Sequence, residues 1–168
     1  MPEKETIERA REDAREGKSP STQAGEFVRE EMHHIREGKH GARSTKQAIA
    51  IGLSKARRSG VKLRTPKKGT VSEETRRSAK RARRKGAKAS SRRKKPSAKR
   101  SRAVRSALKR EGRSAASPRA LARQAKSAAR KRSAASRSAS ARKAARTKGP
   151  AGRRAAAKKA ARTRARRR

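Results

Sequence analysis

The sequence predicts an all-α protein: a small helical-hairpin head followed by a largely disordered, partly helical basic tail. Three observations carry that expectation. Large apolar residues recur at helical spacing, and eleven of the fifteen lie before residue 64. Residues that start and stop helices alternate through the same stretch. Charge is sharply partitioned: residues 1–40 carry ten acids and eight Lys/Arg, net −2, whereas residues 41–168 set the remaining three acids against 48 bases, net +45.

The first helix is expected over about residues 2–16. Pro2 suits a first helical position, and Ile7, Ala10 and Ala14 recur at i, i+3 and i+7. Gly17 offers a left-handed stop. Ser19-Pro20 then reads as an N-cap followed by proline in the first turn. The second helix runs over about 20–37, with Ala24, Phe27, Val28, Met32 and Ile35 as its apolar stripe. Gly38 ends it, and the short link to Arg43 permits a helical hairpin. Ser44 and Gln47 have capping-box spacing and open a third helix over about 44–59. There Ile49, Leu53 and Ala56 share a face, and Gly52 lets a neighbouring helix approach closely.

These elements make a head of residues 1–61, joined by a basic linker over 62–70 to a low-complexity cationic tail over 71–168. Thr70 and Glu73 have capping-box spacing for a further helix to about Lys85, one with almost no apolar face. Val104, Leu108 and Leu121 are isolated apolar points. Arg110-Glu111-Gly112-Arg113 repeats the helix-stop grammar of Arg15-Glu16-Gly17-Lys18 and Arg36-Glu37-Gly38-Lys39. A head with so few large side chains is marginal alone. Phe27, Met32, Ile35, Ile49 and Leu53 are therefore offered as a surface for a second copy, a homo-oligomer contact.

A block of charge +45 repels itself and needs a polyanion to condense it. DNA is the first candidate partner, RNA the second, and an anionic membrane a distant third, because Trp is absent and Leu and Phe are scarce. The tail has no aromatic residue on which bases could stack. The expected function is therefore phosphate binding and condensation of duplex DNA without strong sequence preference. The residues offered for phosphate contact are Lys46, Lys55, Arg57, Arg58, Lys67 and Lys68, then Arg81, Arg83, Arg84 and Lys85. They continue through Arg92, Arg93, Lys94 and Lys95, Arg130, Lys131 and Arg132, and end with Arg166, Arg167 and Arg168. Thr45, Lys46 and Gln47 also stand where a recognition helix would read bases, but three helices with so small a core argue against a helix-turn-helix.

Other chemistries find little support. There is one Asp, no Cys and no nucleophile–base arrangement, so no catalytic residue is expected and the chain is read as non-enzymatic. Glu30, His33, His34 and Glu37 share one helical face and have spacing that could bind zinc, with only His40 as a further ligand. A solvated polar face is the preferred reading, so no metal, cofactor or small-molecule substrate is expected. The N-terminus lacks the apolar core of a signal peptide, and the run from Ala48 to Leu53 is too short to span a bilayer. A cytoplasmic, nucleoid-associated location follows as an expectation.

The stretch Lys46-Gln47-Ala48-Ile49-Ala50-Ile51-Gly52-Leu53-Ser54-Lys55-Ala56-Arg57-Arg58 resembles a small bacterial family of uncharacterised basic proteins. The resemblance reaches back through Phe27-Val28-Arg29-Glu30-Glu31-Met32 and Gly38-Lys39, over about residues 1–65. Members are variously labelled DNA-binding or plasmid-stabilisation proteins, which implies a nucleic-acid partner and supplies no catalytic residue. The tail separately resembles bacterial histone-like and eukaryotic linker histone tails. Thr65-Pro66-Lys67-Lys68 and Ser117-Pro118-Arg119 are similar to the Ser/Thr-Pro-basic turns of the latter, although a helix start or a plain linker is the preferred reading of both.

Overall fold

A computed structural model describes residues 2–87 and 97–166. Among the described residues the chain is all-helical and contains no strand. Its elements are α1 (Lys4–Arg15), α2 (Pro20–Arg36), α3 (Thr45–Arg58), α4 (Glu73–Ala87), α5 (Ala98–Arg110), a 3-10 turn (Ser114–Ala116), α6 (Pro118–Arg130) and α7 (Ala134–Ala165). The chain divides into two units, Met1–Gln124 and Ala125–Arg168.

In the first unit the capping chemistry explains where helices begin. The Ser19 side chain accepts from Thr22 N–H and Pro20 occupies the first turn of α2. Ser44 accepts from Gln47 N–H at 3.2 Å, while the Gln47 amide oxygen accepts from Arg43 N–H at 2.9 Å. The return bond of the capping box thus reaches one residue further back than usual. Gly17, Gly38 and Gly60 follow α1, α2 and α3 with φ of 71°, 80° and 98°.

Two apolar clusters hold α1, α2 and α3 together. One joins Ala10, Ala24, Phe27 and Ala56, with Ile7, Leu53, Val61 and Leu63 against it. The other joins Met32, Ile35, Ala42 and Ala48 to Ala115 and Ala116, with Val28, Ile49 and Leu121 against it. Phe27, Met32 and Ile35, offered by the sequence for a second copy, are only 1%, 6% and 0% exposed, so the chain's own core already covers them. Ile49 and Leu53 are half-buried.

Beyond Leu63, packing continues in two further places. The segment around the 3-10 turn lies over the α2–α3 hairpin. Thr45 Oγ1 donates to Ala115 O at 2.7 Å, Arg36 Nε donates to Ala116 O at 2.9 Å, and Gly41 and Ala42 N–H donate to Leu108 and Gly112 carbonyls. Nothing in the local sequence signals this docking, because two alanines and Leu121 do not form a hydrophobic pattern.

Helix α4 is the second case. The expected cap at Thr70 is replaced by Ser72, whose Oγ accepts from Thr75 N–H at 3.3 Å, while Thr70 Oγ1 turns back to Lys67 O. Glu73 and Glu74 then lie in the first turn, where the helix dipole favours carboxylates. The helix has a buried stripe after all, made of Ala79, Ala82 and Gly86 at i, i+3 and i+7. Small residues let it approach α3 closely: a Cβ on Gly86 would fall 1.9 Å from Arg57 O. In an exposed helix, Gly→Ala gains about 1 kcal/mol. Here Gly86→Ala is expected to have the opposite sign, costing about 1–3 kcal/mol through overpacking against backbone. Denaturant unfolding checks the sign, and amide exchange in 73–87 shows whether α4 has lifted from α3.

Where the sequence predicts a largely disordered tail, the described residues are helical over 73–87, 98–110, 118–130 and 134–165. The physical reason lies in composition, since Ala, Lys and Arg have high intrinsic helix preference. Ser117 Oγ accepts from Ala120 N–H at 3.2 Å, so Ser117-Pro118 is a helix start. In the second unit α7 opens on Ser133, which accepts from Ser136 N–H. Gly149 (φ 63°) and Pro150 break it into two helical runs, and no residue of α7 is buried.

Candidate nucleic-acid interface

Helix α4 turns its small stripe toward α3 and its basic residues toward solvent. Arg81, Arg83, Arg84 and Lys85 are exposed, and so is Lys80, which the clusters of adjacent cations do not single out. The signal that could have found it is the small-residue spacing at 79, 82 and 86. Once that face is known to be inward, the cations on the other faces of α4 are outward. Lys67 and Lys68 in the preceding segment are exposed too.

On α3 the sequence-proposed residues separate. Lys46 and Arg58 are exposed. Arg57 is only 7% exposed, and its guanidinium donates to Arg64 O at 3.2 Å. Burial works against its charge and lowers its pKa. Lys55 is turned inward too: its ammonium lies 3.0 Å from Glu30 Oε1 and 2.7 Å from Glu31 Oε2. Burial disfavours the charged form, but Glu31 and then Glu30 outweigh it and hold the lysine above its ordinary pKa. Arg57 and Lys55 are thus occupied by partners within the fold. The physical reason is helix phase, because both flank the buried Ala48–Gly52–Ala56 side of α3.

The recognition-helix alternative loses its geometry for a related reason. Thr45 is buried against Ala115 O and Gln47 is used in the cap, which leaves Lys46 as the exposed member of that trio.

Arg130, Lys131, Arg132 and Arg166 are exposed. Arg92, Arg93, Lys94, Lys95, Arg167 and Arg168 lie outside the described residues. Along α7 the cations recur on every side of the helix axis rather than on one stripe: Arg137, Arg142, Lys143, Arg146 and Lys148 alone encircle it at helical spacing. Such a surface can place cations on phosphates to either side at once, and it has no reading head for base edges.

The carboxylates gather elsewhere. Glu30 and Glu31 are 4% and 0% exposed on α2, beside Lys55, His34 and His40. Arg9 Nε reaches Glu26 at 3.1 Å between α1 and α2. The acidic α1–α2 pair and the exposed cations of α4 therefore belong to different parts of the first unit. Among the described residues no helix is long and apolar enough to cross a membrane.

Comparison with curated proteins and with solved structures finds no match. Residues 15–69 match the model of DUF6496, a family of unknown function, which is consistent with the resemblance of this stretch to an uncharacterised family.

Proposed function

We propose that the chain is a non-enzymatic, histone-like protein that binds and condenses duplex DNA through phosphate contacts without strong sequence preference. The observation that carries this reading is the disposition of charge: exposed cations on α4 and on all sides of α7, with no acid after Glu111. Bound phosphates release their counterions when lysine and arginine replace them, and that gain is indifferent to base sequence. The expected working residues are Lys46, Arg58, Lys67, Lys68, Arg81, Arg83, Arg84, Lys85, Arg130, Lys131, Arg132 and Arg166.

The second unit is proposed to complete its helices on the polyanion. A helix that is polar all round has no face to bury, and its like charges oppose the alanine-driven helix in the free chain. Phosphates remove that opposition. Circular dichroism of the full chain should show helicity rising when duplex DNA is added at low salt, and falling back as salt displaces it. No change in helicity would remove this part of the proposal.

Crosslinking in cells followed by separate DNase and RNase digestion tests the partner. Label retained by DNase-sensitive material supports the proposal. Label confined to RNase-sensitive material overturns it in favour of an RNA-associated assembly factor.

A further inference from the structure

Beside the α2–α3 loop a group of side chains has no part in phosphate binding. Glu31 is fully buried, yet neither carboxylate oxygen has a hydrogen-bond partner among the described residues. Lys55 approaches Oε2 to 2.7 Å as an ion pair without hydrogen-bond alignment, and His40 Nε2 stands 3.3 Å from Oε1. His34 lies one turn further along α2, with its Nδ1 4.0 Å from Glu30 Oε1. One ligand atom from each of Glu31, His34 and His40 falls within 4.8 Å of the other two.

The outer nitrogens of the two rings decide what the inner ones can do. His34 Nε2 is 2.8 Å from Glu3 Oε1, and His40 Nδ1 is 3.1 Å from Gly41 O. A carboxylate and a carbonyl only accept, so each of those nitrogens carries the proton. In neutral rings the lone pairs are then His34 Nδ1 and His40 Nε2. The neutral His40 lone pair faces an unpartnered carboxylate oxygen, acceptor against acceptor, a conflict that either a proton on Nε2 or a metal ion between the two atoms resolves. With both rings neutral, charge points the same way. Two buried carboxylates, Glu30 and Glu31, share one ammonium, Lys55, and one negative charge is left over.

We propose that Glu31 Oε1, His34 Nδ1 and His40 Nε2 hold a divalent transition-metal ion of the zinc class, with water completing the tetrahedron. Zinc at about 2.0–2.1 Å from each ligand separates neighbouring ligand atoms by roughly 3.3 Å. The Glu31–His40 edge already has that length, and the His34 edges, within 4.8 Å, close with a side-chain shift of up to about 1.5 Å. Histidines that bind metals characteristically donate their other N–H to a carboxylate or a carbonyl, which is the arrangement here. Lys55 on Oε2 orients the Glu31 carboxylate for the same purpose. His40 is held in place from outside, since Gly41 N–H donates to Leu108 O at 2.8 Å and the loop is covered by residues 111–112. A polar cleft of about 330 Å³, lined by Glu3, Arg9, Glu30, His34 and Lys39 among others, opens beside His34.

The test uses the full chain, stripped of metal and free of nucleic acid, titrated with Co²⁺. One equivalent should bind with the intense visible bands of a tetrahedral site, and Zn²⁺ should displace it. His34→Gln and His40→Gln should each abolish those bands while helicity is unchanged. His33→Gln, an exposed neighbour outside the cluster, should keep them. Glu3→Gln, which removes only the carboxylate charge beside His34 Nε2, should weaken binding about 10–100-fold. Absence of a bound equivalent in the unaltered chain overturns the proposal. So does binding that survives both His34→Gln and His40→Gln, or that falls equally with His33→Gln.

Discussion

Affinity for duplex DNA should fall about 10³–10⁵-fold between 50 and 200 mM salt, the response expected of a protein that makes roughly six to ten phosphate contacts. Ten contacts would give a slope of about −9 in a plot of log affinity against log salt. Ending the chain after Arg130 removes sixteen Lys/Arg and no acid. That truncation should flatten the slope by about 0.9 for each phosphate that is no longer neutralised, and it should weaken binding alike on A·T-rich and G·C-rich duplexes. Fluorescence anisotropy with both duplexes at five or six salt concentrations measures all three quantities. A flat salt response, or a truncated chain with an unchanged slope, would remove α7 from the interface.

The largest effect on stability is expected at Lys55. Lys55→Met leaves Glu30 and Glu31 buried without their ammonium, and breaking such a pair from one side costs about 3–5 kcal/mol. The lower end is expected here, because the Lys55 side chain keeps 20% of its surface in water. Replacing Glu31 as well, in Lys55→Met/Glu31→Leu, should recover part of the loss, since it removes one of the two stranded carboxylates and leaves Glu30. Urea unfolding of the three chains decides it, and a single variant as stable as the parent would contradict the geometry. The pH arm has a definite sign. Lys55 is held above its ordinary value of 10.5, so its contribution is fully present below that pH. It is lost only as pH rises past 10.5 and through the raised value. The parent and the single variant should therefore converge in alkali.

Particular residues show how far the sequence could be read. Ser19-Pro20 and Ser44 with Gln47 carried their capping chemistry openly, because a hydroxyl three residues before an unpaired N–H is a local arrangement. The stripe from Ala24 to Ile35 likewise revealed a buried face. Helix α4 was harder. Its inward stripe is Ala79, Ala82 and Gly86, which read as low complexity beside the surrounding cations. The value of that stripe comes from how closely it lets α3 approach, a property invisible to hydrophobicity. Ala115 and Ala116 were illegible for a different reason: what buries them is a hairpin loop some seventy residues earlier, through bonds to Thr45 and Arg36.

The candidate interface divides in the same way. Exposed cations on α4 and α7 follow from charge alone. Lys55 and Arg57 looked identical to their neighbours in sequence, and only the phase of α3 shows them turned inward. The grouping of acids and histidines differs from the helical spacing by one residue: Glu30 shares the face of His33 and His34, but the carboxylate beside His40 is that of Glu31. A side chain contributed by a loop cannot be phased from helical spacing.

The docking of Ala115 and Ala116 sets a rule for dividing this chain. Met32 and Ile35 have part of their cover from a segment that follows them by about eighty residues. A fragment ending in the 62–70 stretch would keep every residue of α1, α2 and α3 and still present that apolar surface to water. It would be prone to stick to itself, and any self-association measured on it would report the cut rather than the molecule. The shortest piece to trust as a stand-in for the first unit extends through Leu121. The cationic region is therefore not an appendage hung on a finished head, because part of the head is stored inside it.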